Sequence, residues 1–236
     1  MNYTHKQAVR NYKTLKIYES KYDNCVDKKS FYFIRLDGVK MTKSYLRNDK
    51  KAFLNTFRKM IELFMKENPD FKVCYSYADE VSIYIPDLIL KKYEYRIEKL
   101  ISIFSSKITA AFYIAANEIG LELKTLLCSF DARLISLPDF NTVIKYIEAR
   151  QMFNITRHLL LLNNQYLKDN TLVTSNDIII ALEKKGFIYE KVNRHERYGL
   201  LWVDDRFIKC FEFKENEKYL IELLQNHIYK MEVKNV

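Results

Sequence analysis

The sequence predicts an α+β fold: a ferredoxin-like β-α-β-β-α-β unit with an antiparallel sheet, elaborated by C-terminal helices and short strands. Three observations carry this reading. Strand-like runs and 3.6-residue apolar stripes alternate in that order between Phe31 and Leu137. Stop signals fall where elements should end, at Asp37-Gly38, Asn68-Pro69-Asp70, Pro86 and Gly120. Finally, 236 residues that are 48% apolar and 29% charged suit one large globular unit rather than a disordered chain.

Phe31 to Leu36 is β-rich and ends abruptly at Asp37-Gly38. Lys50 to Glu67 sets Phe53, Phe57, Met60, Ile61 and Phe64 on one helical face. Lys72 to Tyr77 and Val81 to Ile85 read as short strands around Ala78-Asp79-Glu80. One long helix is expected from Leu88 to Ile119, striped by Ile97, Ile101, Phe104, Ile108, Ala111 and Ala115. Leu126 to Leu137 follows as a fourth strand. Beyond it, Asn141 to Lys168 reads as helical with a break near Asn154, and Ser175 to Lys185 as a helix capped by Ser175 or Thr174. Phe187 to Val192, Leu200 to Val203 and Phe207 to Phe213 look strand-like, and Glu217 to Glu232 closes as an amphipathic helix. No linker rich in Pro, Ser or Gly divides the chain. Residues 1–236 are therefore expected as one compact unit, a core over 18–140 with an elaboration over 141–236.

Composition narrows the function. Four scattered glycines can write neither G-x-G-x-x-G nor a P-loop, so a glycine-rich phosphate cradle is excluded. A net charge of +9 gives a positive field suited to nucleic acid or an anionic surface. The 18 Tyr and 15 Phe could stack on unpaired bases, although most aromatics in such a domain fill core. Cys25, Cys74, Cys128 and Cys210 lie far apart without zinc-ligand spacing, and Cys74 and Cys128 sit in apolar runs that bury thiols. The polar N-terminus carries no secretory signal, and the most apolar window, Ile108 to Ala116, is about half the ~20 residues that span a bilayer. A cytoplasmic protein without a membrane partner is expected.

Topology makes a sharp statement about two carboxylates. In the split sheet the third strand lies between the first and second, antiparallel to both. The end of strand one, carrying Asp37, therefore adjoins the start of strand three, beside Asp79. Two carboxylates there suit two Mg²⁺ ions, whose remaining ligands come from water and triphosphate. Gly38 permits close backbone approach, and its carbonyl offers a further oxygen. Each motif alone is also an ordinary turn, since Asp-Gly commonly follows a strand and Ala-Asp-Glu suits a hairpin tip.

Phe33-Ile-Arg-Leu-Asp37-Gly38 followed by Tyr75-Ser-Tyr-Ala-Asp79-Glu80-Val-Ser82 resembles the two metal motifs of tRNA-histidine guanylyltransferases and related 3′-to-5′ polymerases. The resemblance runs on through Lys99 to Phe112, Phe130-Asp131-Ala132-Arg133, Pro138, Tyr146-Ile-Glu-Ala-Arg150-Gln151 and Arg197-Tyr-Gly199. It implies a polymerase-type palm that activates a 5′-phosphate with ATP or GTP and adds nucleotides to the 5′ end of tRNA. Asp37, the Gly38 carbonyl and Asp79 would hold two Mg²⁺ ions, with Glu80 extending the acidic pair or facing solvent. Gly38, Val39, Lys40, Met41 and Thr42 would line the triphosphate with Ala78, and Lys43 and Arg47 would neutralise phosphates. Arg133, Arg150, Gln151, Arg157, His158 and Arg197 would contact tRNA or its phosphates. The family also implies a homotetramer.

Three positions depart from the family pattern. Ile155-Thr156-Arg157-His158 stands where the family carries His-Ile-Asn-Asn, Ala78 replaces a serine, and Met41 replaces an aromatic. These changes bear on the added base and on tRNA choice, hence on tRNA-His maturation against general 5′-end repair. Two other readings remain open: a palm-type nucleotide cyclase or dinucleotide synthase, and a non-catalytic RNA-binding palm.

Overall fold

The computed structural model describes residues 24–27, 29–41, 50–123, 127–169, 171–172, 174–208 and 217–229. Its centre is a six-stranded antiparallel sheet of β1 (Phe31–Val39), β2 (Val73–Tyr77), β3 (Glu80–Ile85), β4 (Ser129–Leu137), β5 (Leu200–Val203) and β6 (Arg206–Ile208). Their spatial order is β4-β1-β3-β2-β5-β6, so β3 does lie between β1 and β2. Strand β1 runs through Asp37-Gly38 rather than stopping before it, because β3 and β4 flank it on both sides.

Alternate residues of each strand feed two separate cores. On one face, Ile34, Leu36, Val81, Ile83, Phe130 and Trp202 meet α1 (Lys50–Glu67) and α3 (Ile97–Ile119). The aromatics cluster there. Phe57, Phe112 and Phe130 stand 5.6–6.0 Å apart, and Phe64, Phe71 and Phe104 form a second triangle at 5.1–6.2 Å. By length and composition α3 could cross a membrane, but its stripe of Leu100, Phe104, Ile108, Phe112 and Ala115 is buried in this core. On the other face, Phe33, Tyr84, Tyr75 and Leu201 pack against Ile144 and Ile147 of α4 (Phe140–Leu162) and Leu220, Leu224 and Ile228 near the C-terminus. A third cluster joins Leu159 and Leu162 of α4 to Ile178 and Leu182 of α5 (Ser175–Lys184).

Four expectations are corrected. The helix expected from Leu88 is two, α2 (Asp87–Lys92) and α3, because Glu94 and Tyr95 take left-handed conformations, φ 57° and 60°. That break is satisfied from outside: Val26 donates to the Tyr95 carbonyl and Ile97 to that of Asn24, both at 2.9 Å. Helix α4 does not break near Asn154 but runs on to Leu162, followed by a π turn over Asn163–Leu167. Phe187 to Val192 is not a strand; Tyr189–Lys191 forms a 3₁₀ turn whose Tyr189 packs into the third cluster. The closing helix, α7 (Glu217–Leu224), is shorter than expected and continues as a π turn over Gln225–Tyr229. Of the strand expected over Phe207 to Phe213, residues 209–213 lie outside the described residues.

Candidate active site

The β1–β3 register sets Asp37 opposite Glu80, and the Gly38 N–H donates to the Asp79 carbonyl at 2.9 Å. Strand end and turn are thus joined by backbone, and both carboxylates line one cleft. The turn is tight: Ala78 has φ 50°, a left-handed conformation that L side chains rarely adopt. Gly38 has a role that its sequence context did not reveal. A Cβ there would stand 2.6 Å from the Sδ of Met41, so the missing side chain is room for Met41. Met41 itself is fully buried in the core, which leaves only its backbone to face a ligand, while Val39 and Lys40 are exposed. Thr42, Lys43 and Arg47 lie outside the described residues.

Helix α4 crosses the open face of the sheet and ends its path at the cleft. Tyr146 shares a hydrogen bond of 3.1 Å with Ser82. One turn on, Arg150 grips Glu80 with both guanidinium arms, Nε standing 2.9 Å from Oε1. Two further turns bring Asn154 and His158 to the cleft, with Arg157 and Leu161 beside them. Tyr77 of β2, Phe53 and Leu54 from α1, and His195 and Glu196 from α6 (Arg194–Tyr198) complete the lining.

The electrostatics differ between the walls. His158 is 7% exposed, with Nε2 3.5 Å from the Glu196 carboxylate. That contact holds the Glu196 carboxyl below its usual range, against the opposing cost of burial. Burial, with Arg58 nearby, pushes His195 down to about 4, so its imidazole is neutral at pH 7. Burial likewise raises the Cys74 thiol, which is inert in the core as its apolar context suggested.

The structure therefore brings Asp37, Ala78, Asp79, Glu80, Arg157 and His158 together and separates other expected contacts from them. Glu80 is buried against Arg150 rather than facing solvent. Gln151 is 1% exposed and donates to the Tyr198 carbonyl at 3.1 Å. Arg197 is buried too, its guanidinium 4.8 Å from the Tyr198 ring and 5.6 Å from that of Tyr189. Arg133 stays exposed and pairs with Asp131 at 3.1 Å. Sequence reading missed Asn154, His195 and Glu196. For Asn154 the available signal was its i, i+4 spacing to His158; for the other two it was adjacency to Arg197-Tyr198-Gly199.

The family described as tRNAHis guanylyltransferase matches residues 12–138. The tRNA(His) guanylyltransferase of Schizosaccharomyces pombe is 25% identical over 224 residues, covering 83% of this chain and 84% of that protein. A bacterial tRNA(His) guanylyltransferase-like protein, solved in complex with ATP, has a TM-score of 0.75 at 18% identity. It covers 90% of this chain and 98% of its own. The tRNA(His) guanylyltransferase of Saccharomyces cerevisiae has a TM-score of 0.68 at 18% identity, over 82% and 93% of the two chains. The structural likenesses speak for the palm architecture, and the family match over more than half the sequence speaks for descent. The chain belongs to the tRNAHis guanylyltransferase family.

Proposed function

We propose that this protein is a Mg²⁺-dependent nucleotidyltransferase that extends or repairs the 5′ end of tRNA in the 3′-to-5′ direction, after ATP or GTP activates the 5′-phosphate. The observation that carries the proposal is the joining of Asp37 and Asp79 at one cleft through the Gly38–Asp79 backbone bond. The donor set fits the ion. Two carboxylates and the Gly38 carbonyl are hard oxygens, and among the described residues no group of three or more acidic, His or Cys side chains forms a protein-only cage. Mg²⁺ characteristically keeps its waters and substrate phosphates, so it needs no such cage. When bound, a pair of such ions polarises phosphoryl oxygens and offsets the charge of the leaving pyrophosphate.

The chain's own residues position and shield. The backbone of Gly38, Val39, Lys40 and Met41, with Ala78, lines the triphosphate; for Thr42, Lys43 and Arg47, outside the described residues, the resemblance alone implies phosphate contacts. Arg157, exposed at the cleft, meets RNA phosphates beside the buried His158. Since Gln151 and Arg197 are buried and Arg150 is paired, few expected side chains remain free to read tRNA identity. That favours addition directed by the opposing template base, with backbone and charge contacts from the protein. A +9 chain suits such contacts, and tRNA binding should weaken steeply with salt. We further propose assembly as a tetramer, which sedimentation at a single-chain mass would contradict.

Asp37→Asn and Asp79→Asn keep shape and remove charge. Each should lower nucleotide addition at least about a hundredfold with the fold intact by circular dichroism. Substantial activity in either variant sinks the assignment. Supplying 5′-truncated tRNAs of several anticodons, each with a defined unpaired base opposite the gap, separates the two tRNA roles. Extension of histidine tRNA alone, always with G, would replace repair by maturation.

A further inference from the structure

The sheet carries three carboxylates side by side. Asp37 of β1 lies opposite Glu80 of β3 and opposite Asp131 of β4, so all three share one rung and one face. Each flanking acid is held by an arginine: Glu80 by Arg150 through both arms, Asp131 by Arg133 at 3.1 Å. Among the described residues, nothing hydrogen-bonds or ion-pairs with the Asp37 carboxylate between them. The two caps are not equivalent. The Asp131 and Arg133 side chains are 50% and 61% exposed, so water and salt screen them. Those of Glu80 and Arg150 are 11% and 17% exposed, where an uncompensated charge would act at full strength on its neighbours.

We infer that Arg150 is a positioning residue for the divalent-ion site: by occupying Glu80, it withdraws one of three adjacent carboxylates from competition for the metal and leaves Asp37 with Asp79 as the ligand pair. This rests on the metal reading above. Arg150 is well placed for such work, because Tyr146 anchors its helix to Ser82 one turn earlier and its guanidinium lies 5.0 Å from the Phe153 ring. An RNA contact at Arg150 would instead require breaking a buried bidentate pair at each encounter.

The two readings differ in whether removing Arg150 changes metal affinity, and Mn²⁺ titration of the full chain without RNA or nucleotide measures it. Arg150→Met leaves Glu80 unopposed, so Mn²⁺ should bind roughly threefold to tenfold more tightly while kcat falls at least about tenfold. Glu80→Gln leaves a lone guanidinium, so Mn²⁺ should bind more weakly by a similar factor. The double variant Glu80→Gln/Arg150→Met restores neutrality and should return both quantities to within about threefold of the parent. It also carries the test if Arg150→Met fails to fold. Overturning results are weaker Mn²⁺ binding in both single variants, or a folded double variant as inactive as Arg150→Met. Loss of tRNA affinity with unchanged Mn²⁺ binding would mark Arg150 as an RNA contact and overturn the inference. Parental Mn²⁺ binding by Asp37→Asn would overturn the metal reading and this inference together; loss there combined with failed rescue overturns this inference alone.

Discussion

Gly38 shows how one residue serves packing and chemistry at once. Its N–H fixes the Asp79 turn, and its bare Cα admits the Met41 side chain to the core. Gly38→Ala forces a methyl to within 3.0 Å of three Met41 atoms. The expected cost is about 1–3 kcal/mol, read as a lowered urea midpoint with an unchanged slope. No loss would mean that Met41 repacks freely. The convergence of Asp37 and Asp79 was legible because topology alone dictates it. The Glu80–Arg150 pair was not, since a charged residue on a helix looks the same whether its partner is water or a strand 70 positions away. The burial of Arg197 and Gln151 was not legible for the same reason: it comes from the packing of α6 onto β2 and α4, which leaves no local trace.

At the scale of elements, the ends were legible where a side chain does the capping. Thr174 accepts from the Asp177 N–H, and Asp177 returns a bond to the Thr174 N–H, a complete capping box on α5. Thr174→Ala should cost about 1 kcal/mol in thermal or urea unfolding, because the Asp177 N–H then loses its acceptor. An unchanged midpoint would show that solvent satisfies it equally well. Elements whose form depends on distant partners were less legible. The Glu94–Tyr95 break is stabilised by backbone from residues 24–26, and the aromatic, β-branched run from Phe187 folds as a turn whose Tyr189 packs against Leu159 and Leu182 rather than joining the sheet. Apolar periodicity reports that a segment is buried, not what it is buried against.

For the whole molecule, acid weakens the fold through groups buried beside the cleft. His195 titrates at about 4 when folded and near 6.5 in the unfolded chain. Its contribution is fully present above pH 6.5 and is lost as pH falls from there to about 4, by at most ~3 kcal/mol. Glu196, depressed by His158, acts in the same direction below the usual carboxylate range. Stability measured at pH 7.5, 5.5 and 4 should therefore fall stepwise, and His195→Gln should flatten the upper step. A flat profile in the parent would contradict the buried, neutral imidazole.

The pairing of β2 with β5 has a consequence in time. Four rungs, from Val73↔Val203 to Ser76↔Leu200, close an edge with residues that leave the ribosome about 125 positions later. Until then β2 presents an open ladder next to the Phe33 and Tyr84 face, which waits as well for the Leu220 and Leu224 helix. The nascent palm thus passes through an interval in which its stickiest surfaces are synthesised but uncovered. Slow elongation between Pro138 and Leu200 would prolong that exposure, so a holdase present during synthesis should raise the yield of folded chain.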